Sequence, residues 1–189
     1  MPDIELIRGL SPGESVHYSH PSMMGYATRF HLIQGNGVIL LVETVLIRGG
    51  DPYETVIEIP EEASRWLVDA MVALLLPPGK GGTPGSTLFL DYESPGAYLR
   101  IRRTMLVEAE DDPGFTVIDL RRPLPLGGNE SIGWSDRLLF DGGLFEALHV
   151  LAKNWAAAHA QESPRPEAPG LRPNWMGKSP ADTPKAIKP

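Results

Sequence analysis

The sequence predicts an α+β fold, a tandem duplication of a β-meander of three to four strands plus one helix. A pattern of strand, Asp-Pro turn and strand occurs twice, and each copy is followed by an apolar stripe with helical spacing. Because a short sheet with one apolar face needs cover, we expect the two units to pack about a pseudo-two-fold axis. The units span residues 1–78 and 79–160 and form one compact domain, and a proline-rich tail follows at 161–189.

The internal repeat is a match of both residue type and spacing. One copy begins at Thr44 and the other at Thr104, an offset of 60 residues that becomes 61 at the turn. Chance is a poor explanation for this order and spacing, which indicate a duplication. Seven residues of the first copy are identical to their counterparts: Thr44, Leu46, Asp51, Pro52, Thr55, Val56 and Ile57.

Each unit contains strand-like segments joined by turn-forming residues. Apolar and polar residues alternate most clearly over 53–59, which predicts one buried and one exposed face. Residues 4–10 are candidates for an additional leading strand, and residues 136–140 are either a short strand or the approach to the second helix. The predicted strands are 26–34, 38–48 and 53–59 in the first unit, and 86–93, 97–109 and 115–120 in the second.

Two helices are predicted, one at the end of each unit. The first covers 61–76 after Pro60, and the second covers 142–160 with Asp141 as its N-cap. The tail contains seven prolines, so we expect it to be extended or disordered. The apolar stripes consist of Trp66, Leu67, Ala70, Met71, Leu74 and Leu75 in the first helix, and of Leu144, Phe145, Leu148, Leu151, Ala152 and Trp155 in the second.

Composition limits the classes of function. The chain has no cysteine, which excludes a disulfide framework, a thiolate metal site and a cysteine nucleophile. Its start lacks the features of a signal peptide, and its longest apolar run, 71–76, is too short to span a bilayer. We therefore expect a soluble cytoplasmic protein with no membrane partner. The net charge is −7, and residues 1–160 carry 12 basic and 21 acidic residues, so a nucleic-acid site there would have to be a local patch.

A motif in the second unit runs from Leu88-Phe89-Leu90-Asp91-Tyr92 through a Pro95-Gly96 turn to Tyr98-Leu99-Arg100-Ile101-Arg102-Arg103-Thr104. This motif resembles the PUR repeat of the purine-rich-element-binding family. The architecture also resembles that of Whirly proteins. The resemblance implies a four-stranded sheet followed by one helix in each repeat, with the two repeats intertwined about the pseudo-two-fold axis to form one domain. It also implies binding of single-stranded DNA or RNA, without cofactor or catalysis.

Carried over to this sequence, the resemblance implies particular site residues. Arg100 and Arg102 would contact phosphate or base, and Tyr98 would stack or pack. Arg29, followed by Phe30, matches the start of the corresponding strand in the first unit. The family's basic turn is replaced here by Glu93-Ser94-Pro95-Gly96-Ala97, which contains no cation.

Strand periodicity supports the same residues independently. Tyr98, Arg100 and Arg102 alternate, so they share one face of a strand and form a platform for stacking and phosphate contact. The alternative is a solvated face whose arginines pair with acids on neighbouring strands, such as Asp119. Arg103 falls on the apolar face, so it lies at an edge or meets a carboxylate.

Other candidate sites have weak patterns. His17 and His20 lie in an expected loop and lack a third ligand, so no metal or other cofactor is predicted. The acidic run Glu108 to Asp112 is typical of a charged hairpin tip. Residues 78–83 lack the spacing of a phosphate-binding loop and are expected to be a linker. No catalytic constellation is present in the pattern, so we expect no enzymatic activity.

The sequence thus favours a non-catalytic protein that binds single-stranded nucleic acid, with a regulatory or chaperone-like role. The alternative is a protein-interaction module that has kept the fold and lost nucleic-acid binding. It would dock a partner through the tail, with Leu171, Trp175 and Met176 as the docking residues. The apolar segment 38–42 would favour a homodimer if it were exposed.

Overall fold

The computed structural model describes residues 6–22, 27–46, 50–84, 88–107 and 112–160. They form two antiparallel four-stranded sheets, each a meander followed by a helix, so the α+β class is confirmed. A 3₁₀ turn, Pro78–Lys80, and a π-helical turn, Arg137–Asp141, complete the fold. The first sheet has the order β1 (Ser15–Ser22), β2 (Ala27–Gly35), β3 (Val38–Leu46) and β4 (Tyr53–Pro60), before helix α1 (Ala63–Leu75). The second has the order β5 (Phe89–Ser94), β6 (Ala97–Val107), β7 (Asp112–Pro123) and β8 (Asn129–Ser135), before helix α2 (Leu144–His159).

The strand predictions hold for six strands and miss two. The three strands predicted in each unit correspond to β2–β4 and β5–β7. β1 was expected to be a loop around His17 and His20, and that prediction is wrong. The register with β2 shifts between Val16 and Tyr18, and Pro21 interrupts the pattern, so the alternation that marks a strand is lost. β8 follows β7 as a further antiparallel strand, in a stretch for which no strand was predicted.

Both predicted helices are confirmed, and each begins two residues later than predicted. α2 is preceded by Gly143 in a left-handed conformation, φ 78°, with no side-chain cap. The predicted N-cap, Asp141, instead belongs to the π-helical turn, so that prediction is wrong. The same turn resolves the alternatives for residues 136–140, because it approaches the helix and forms no strand. Within the predicted leading strand 4–10, the described residues 6–10 are not a strand, and the tail lies outside the described residues.

One hydrophobic core unites the two sheets and both helices. Phe30 of the first sheet and Trp134 of the second are both fully buried, and their ring centroids are 5.8 Å apart. α1 contacts β4 of its own sheet and also β5 and β6 of the other. α2 contacts β1 and α1. Each helix therefore helps to cover the sheet of the other half of the chain.

The outer faces of the two sheets differ. On the first sheet, Ile33, Leu40 and Val42 form a second buried cluster, and Leu6 packs against it. β3 is therefore an inner strand buried on both faces, and segment 38–42 is not available for self-association. The outer face of the second sheet carries mostly polar and partly exposed side chains. This open face contains most of the predicted binding residues.

Candidate nucleic-acid interface

The outer face of β5 and β6 brings three predicted site residues together. Strand register places the side chains of Tyr98, Arg100 and Arg102 in a row opposite the acids and Phe89 of β5. We call the following set the arginine–aromatic face: Phe89, Asp91, Glu93, Tyr98, Arg100 and Arg102. Its two arginines and two carboxylates give it a formal charge of zero.

Arg100 is held by its neighbours on this face. Its Nε and Nη2 atoms donate to the two carboxylate oxygens of Asp91 at 2.7 and 2.8 Å. Its guanidinium carbon lies 4.0 Å from the centroid of the Phe89 ring. The hydrogen bond to Asp91 raises the pKa of Arg100 above its usual range. The pair fixes the guanidinium in position and offsets its charge, which leaves less of that charge for a ligand.

Arg102 is the more available cation. Its side chain is exposed and lies opposite Phe89, and no ion pair forms to it within the described ranges. A groove of about 380 Å³ runs along this end of the face, lined by Leu88, Phe89, Arg102, Arg103 and Thr104. A guanidinium beside an exposed ring is the combination that a stacked base and its phosphate require.

The exposed aromatic rings on this face are Phe89 and Tyr98, at 46% and 36% of their surface. Tyr98 was predicted from the sequence, and Phe89 was not assigned a role. The signal was present, because Phe89 is two residues before Asp91 on the same strand and so shares its face. Leu88 precedes Phe89 and is 60% exposed, which extends the apolar surface at this end.

Arg103 points inward, as its position in the alternation predicted. Its Nη2 donates to Asp136 at 2.6 Å, its Nη1 contacts the other oxygen of that carboxylate, and its guanidinium lies 4.8 Å from the Phe115 ring. The prediction that it meets a carboxylate is therefore confirmed. Both terminal nitrogens of Arg103 contact the Asp136 carboxylate. Arg103 therefore lines the groove but does not offer a free cation to a ligand.

Asp119 was expected to pair with the arginines of this face, and it does not. Asp119 is fully buried on the inward side of β7, where it accepts the backbone N–H of Arg121 at 2.9 Å and lies 3.5 Å from Arg122. Asp91 supplies the carboxylate on the outer face. Sequence alternation alone gives the face of each residue on its own strand and does not give the register between strands.

Arg29 is separate from the other predicted residues. It lies on β2 of the first sheet, half-buried, and its Nη1 donates to the Ser19 hydroxyl at 3.3 Å. The two halves of the predicted site therefore do not form one surface. Arg29 belongs to the covered outer face of the first sheet.

The histidines of β1 do not form a metal site in the described part of the chain, where no three His, Asp or Glu side chains form a group suited to a cation. His20 instead stacks on Tyr18, with ring centroids 6.1 Å apart. Neither described helix has the length and apolar character needed to cross a membrane.

No protein-family model matches the chain, and no curated protein matches its sequence with significant similarity. The resemblance to the PUR repeat therefore stays a prediction. The proposed function therefore rests on the geometry of the arginine–aromatic face.

Proposed function

We propose that this protein binds single-stranded nucleic acid, without catalysis, on the arginine–aromatic face. The observation that carries the proposal is the open sheet face on which exposed Phe89 lies opposite exposed Arg102, and on which exposed Tyr98 lies farther along the same strand as Arg102. Stacking of bases on aromatic rings is worth about 1–3 kcal/mol per base and tolerates any sequence. Arg102 would contribute the phosphate contact that positions the strand.

Single-stranded nucleic acid fits this face better than a duplex does. Flat rings on a sheet can stack only on bases that are already unpaired. The local charge of the face is zero and the whole chain is acidic, so stacking rather than phosphate attraction would supply most of the affinity. We therefore expect weaker salt dependence than for a basic nucleic-acid-binding protein. Stacking on aromatic rings tolerates any base sequence, and a cytoplasmic protein with a regulatory or chaperone-like role fits this low sequence preference.

We also infer that the two halves arose by duplication and pack about a pseudo-two-fold axis. Both halves have four antiparallel strands and then a helix, and each helix contacts the other half. The repeated sequence segments equate β3–β4 with β6–β7, whereas position within each sheet equates β3–β4 with β7–β8. The strands that match in sequence are therefore one strand out of step with the strands that match in position within their sheets. The motif that resembles the PUR repeat starts at β5, the first strand of its sheet.

The test is fluorescence anisotropy of labelled single-stranded DNA and RNA oligonucleotides, titrated with protein at two salt concentrations. Phe89→Ala and Tyr98→Ala should each weaken binding by about 1–3 kcal/mol, because each removes a stacking surface. Arg102→Ala should weaken binding and reduce the salt slope by about one, because one phosphate contact is lost.

Matched controls exist elsewhere on the surface. Tyr53→Ala removes a tyrosine that is 49% exposed on β4, and Arg65→Ala removes an arginine paired with Asp69 on α1. Both control variants should bind the oligonucleotides with the same affinity as the unmodified protein. If the three variants on the face and the two controls bind equally well, this face is not the site. Absence of binding to every oligonucleotide at low salt would reject the function itself.

One observation favours the alternative function, a protein-interaction module. Asp91 offsets the charge of Arg100, and exposed Leu88 and Phe89 give the same end of the face an apolar character. Asp91→Asn separates the two functions, because it removes a negative charge and releases Arg100. Nucleic-acid affinity should rise in this variant if the proposed function is right. If no oligonucleotide binds to either form, the interaction module becomes the better proposal.

A further inference from the structure

Helix α2 has an outward face that carries apolar as well as polar side chains. The inward residues of the helix are buried in the common core. On the opposite side Val150 is 42% exposed, and Phe140, in the turn before the helix, is 49% exposed. The ring centroid of half-buried Phe145 lies 5.9 Å from that of Phe140 and 6.4 Å from that of His149. An aromatic row therefore borders the outward face of α2.

Two charged side chains lie on the same face, at a spacing that prevents them from pairing with each other. Glu146 and Lys153 are both exposed and lie seven residues apart, which is two helical turns or roughly 10 Å. Neither forms an ion pair with another residue in the described parts of the chain. On α1, by contrast, Arg65 lies 3.6 Å from Asp69, four residues later in the same helix. The two charges of α2 are therefore available to a partner outside the helix.

We propose that the outward face of α2 is the contact surface of a homodimer, in which two copies of the helix pack antiparallel about a two-fold axis. An axis that crosses the helix next to Val150 brings Glu146 of one copy to Lys153 of the other, and the symmetry repeats this ion pair. The same axis places Val150 beside its own equivalent and Phe145 over the small side chain of Ala156 in the other copy. The face is thus complementary to itself in charge and in apolar groups, which fits a second copy of this chain.

This dimer leaves the arginine–aromatic face uncovered. α2 packs on the core side of the second sheet, to which Leu99 and Ile101 of β6 point, whereas Arg100 and Arg102 of the same strand point to the other side. A contact of one helix with one helix is smaller than a standard protein–protein interface, so we expect a dissociation constant in the micromolar range.

Sedimentation equilibrium of the full-length protein, without nucleic acid, tests the proposal. The unmodified protein should pass from monomer to dimer as its concentration rises. Glu146→Lys and Lys153→Glu should each raise the dissociation constant by about tenfold or more, because each variant brings two pairs of like charges together. An equimolar mixture of the two variants should associate as the unmodified protein does, because each lysine then faces a glutamate of the other copy.

The net charge of the chain predicts the opposite result for one of these variants. Glu146→Lys replaces a charge of −1 by +1 and so changes the net charge from −7 to −5, which lessens the general repulsion between copies. Asp69→Lys makes the same change at an exposed position on α1 and is the matched control. It should not raise the dissociation constant.

Three results would overturn the proposal. The unmodified protein could stay monomeric at every concentration at which it is soluble. It could form a dimer whose dissociation constant neither charge reversal changes, which would place the contact on another surface. The mixture of the two variants could associate no better than either variant alone, which would show that Glu146 and Lys153 do not meet. None of these outcomes depends on nucleic-acid binding, so the proposed function is tested separately.

Discussion

His31 lies on β2 with 4% of its surface exposed, and neither of its ring nitrogens has a hydrogen-bonding partner among the described residues. Burial lowers the pKa of this histidine below its ordinary value, and the charge of nearby Arg29 acts in the same direction. Glu54 acts in the opposite direction. The imidazole is therefore neutral in the folded protein near pH 7, because a buried charge without a partner is costly.

This burial ties stability to pH. Because the pKa of His31 is lower in the folded than in the unfolded state, the unfolded chain binds more protons below about pH 6.5, and stability falls as the pH falls. We expect His31→Leu to lose this part of the difference in stability between pH 7.5 and 5.5. Urea unfolding at the two pH values measures it. His17→Gln, at an exposed position on β1, is the control and should keep the full dependence. An unchanged pH dependence in His31→Leu would show that His31 is not the responsible group.

At the same scale, the sequence predicted the face of each site residue but not its partners. Tyr98, Arg100 and Arg102 lie side by side because alternation along one strand is fixed by backbone geometry. The pairing of Arg100 with Asp91 depends on the register of β5 against β6, which the hairpin turn sets. Arg29 was grouped with them by motif likeness, and it lies on the other sheet.

The elements were predictable where their periodicity is unbroken. Both helices carry continuous apolar stripes, and six strands carry clear alternation or apolar runs. β1 was missed because its bulge after Val16 breaks the period of two and Pro21 resembles a loop signal. The start of α2 was misplaced because Gly143 precedes the helix where a polar cap was expected. Such local irregularities are set by tertiary packing.

The N-terminal segment 6–14 has no regular secondary structure, and Glu54 of β4 anchors it. The Glu54 carboxylate accepts the backbone N–H groups of Ile7 and Arg8 at 2.6 and 3.2 Å and the hydroxyl of buried Thr44 at 3.0 Å. Leu6 packs on the apolar cluster of the first sheet. The segment therefore covers surface that would otherwise be exposed.

Removing this anchor should loosen the segment. We expect Glu54→Ala to lower the free energy of unfolding by about 1 kcal/mol or more, because the Thr44 hydroxyl would be left buried without its acceptor. The amides of Ile7 and Arg8 should exchange with solvent faster, as measured by NMR. Glu93→Ala, an exposed glutamate on β5, is the control for loss of charge alone. Exchange at Ile7 and Arg8 that is the same in both variants would contradict the role of Glu54.

At the scale of the whole molecule, the core makes the two halves interdependent. α1 packs on strands of both sheets, and α2 contacts β1 at the opposite end of the chain sequence. The Tyr18 hydroxyl of β1 donates to the carbonyl of Gly142 at 2.8 Å, just before α2. A half isolated from the other would expose the surface that these contacts cover, so we expect neither half to unfold alone.

A substitution at the centre of this core tests that expectation. Trp134 is fully buried in the second sheet and meets Phe30 of the first. Trp134→Phe should lower the free energy of unfolding by at least about 1 kcal/mol, because it leaves a cavity that the surroundings fill only partly. Hydrogen exchange under native conditions measures the free energy of opening at each amide. Trp134→Phe should lower it equally for amides of β3 and of β6, because a single cooperative unit opens as a whole. Trp155→Phe, at a half-buried position on α2, is the control and should cost less. If only the amides of β6 lost protection, the halves would be two folding units despite their common core.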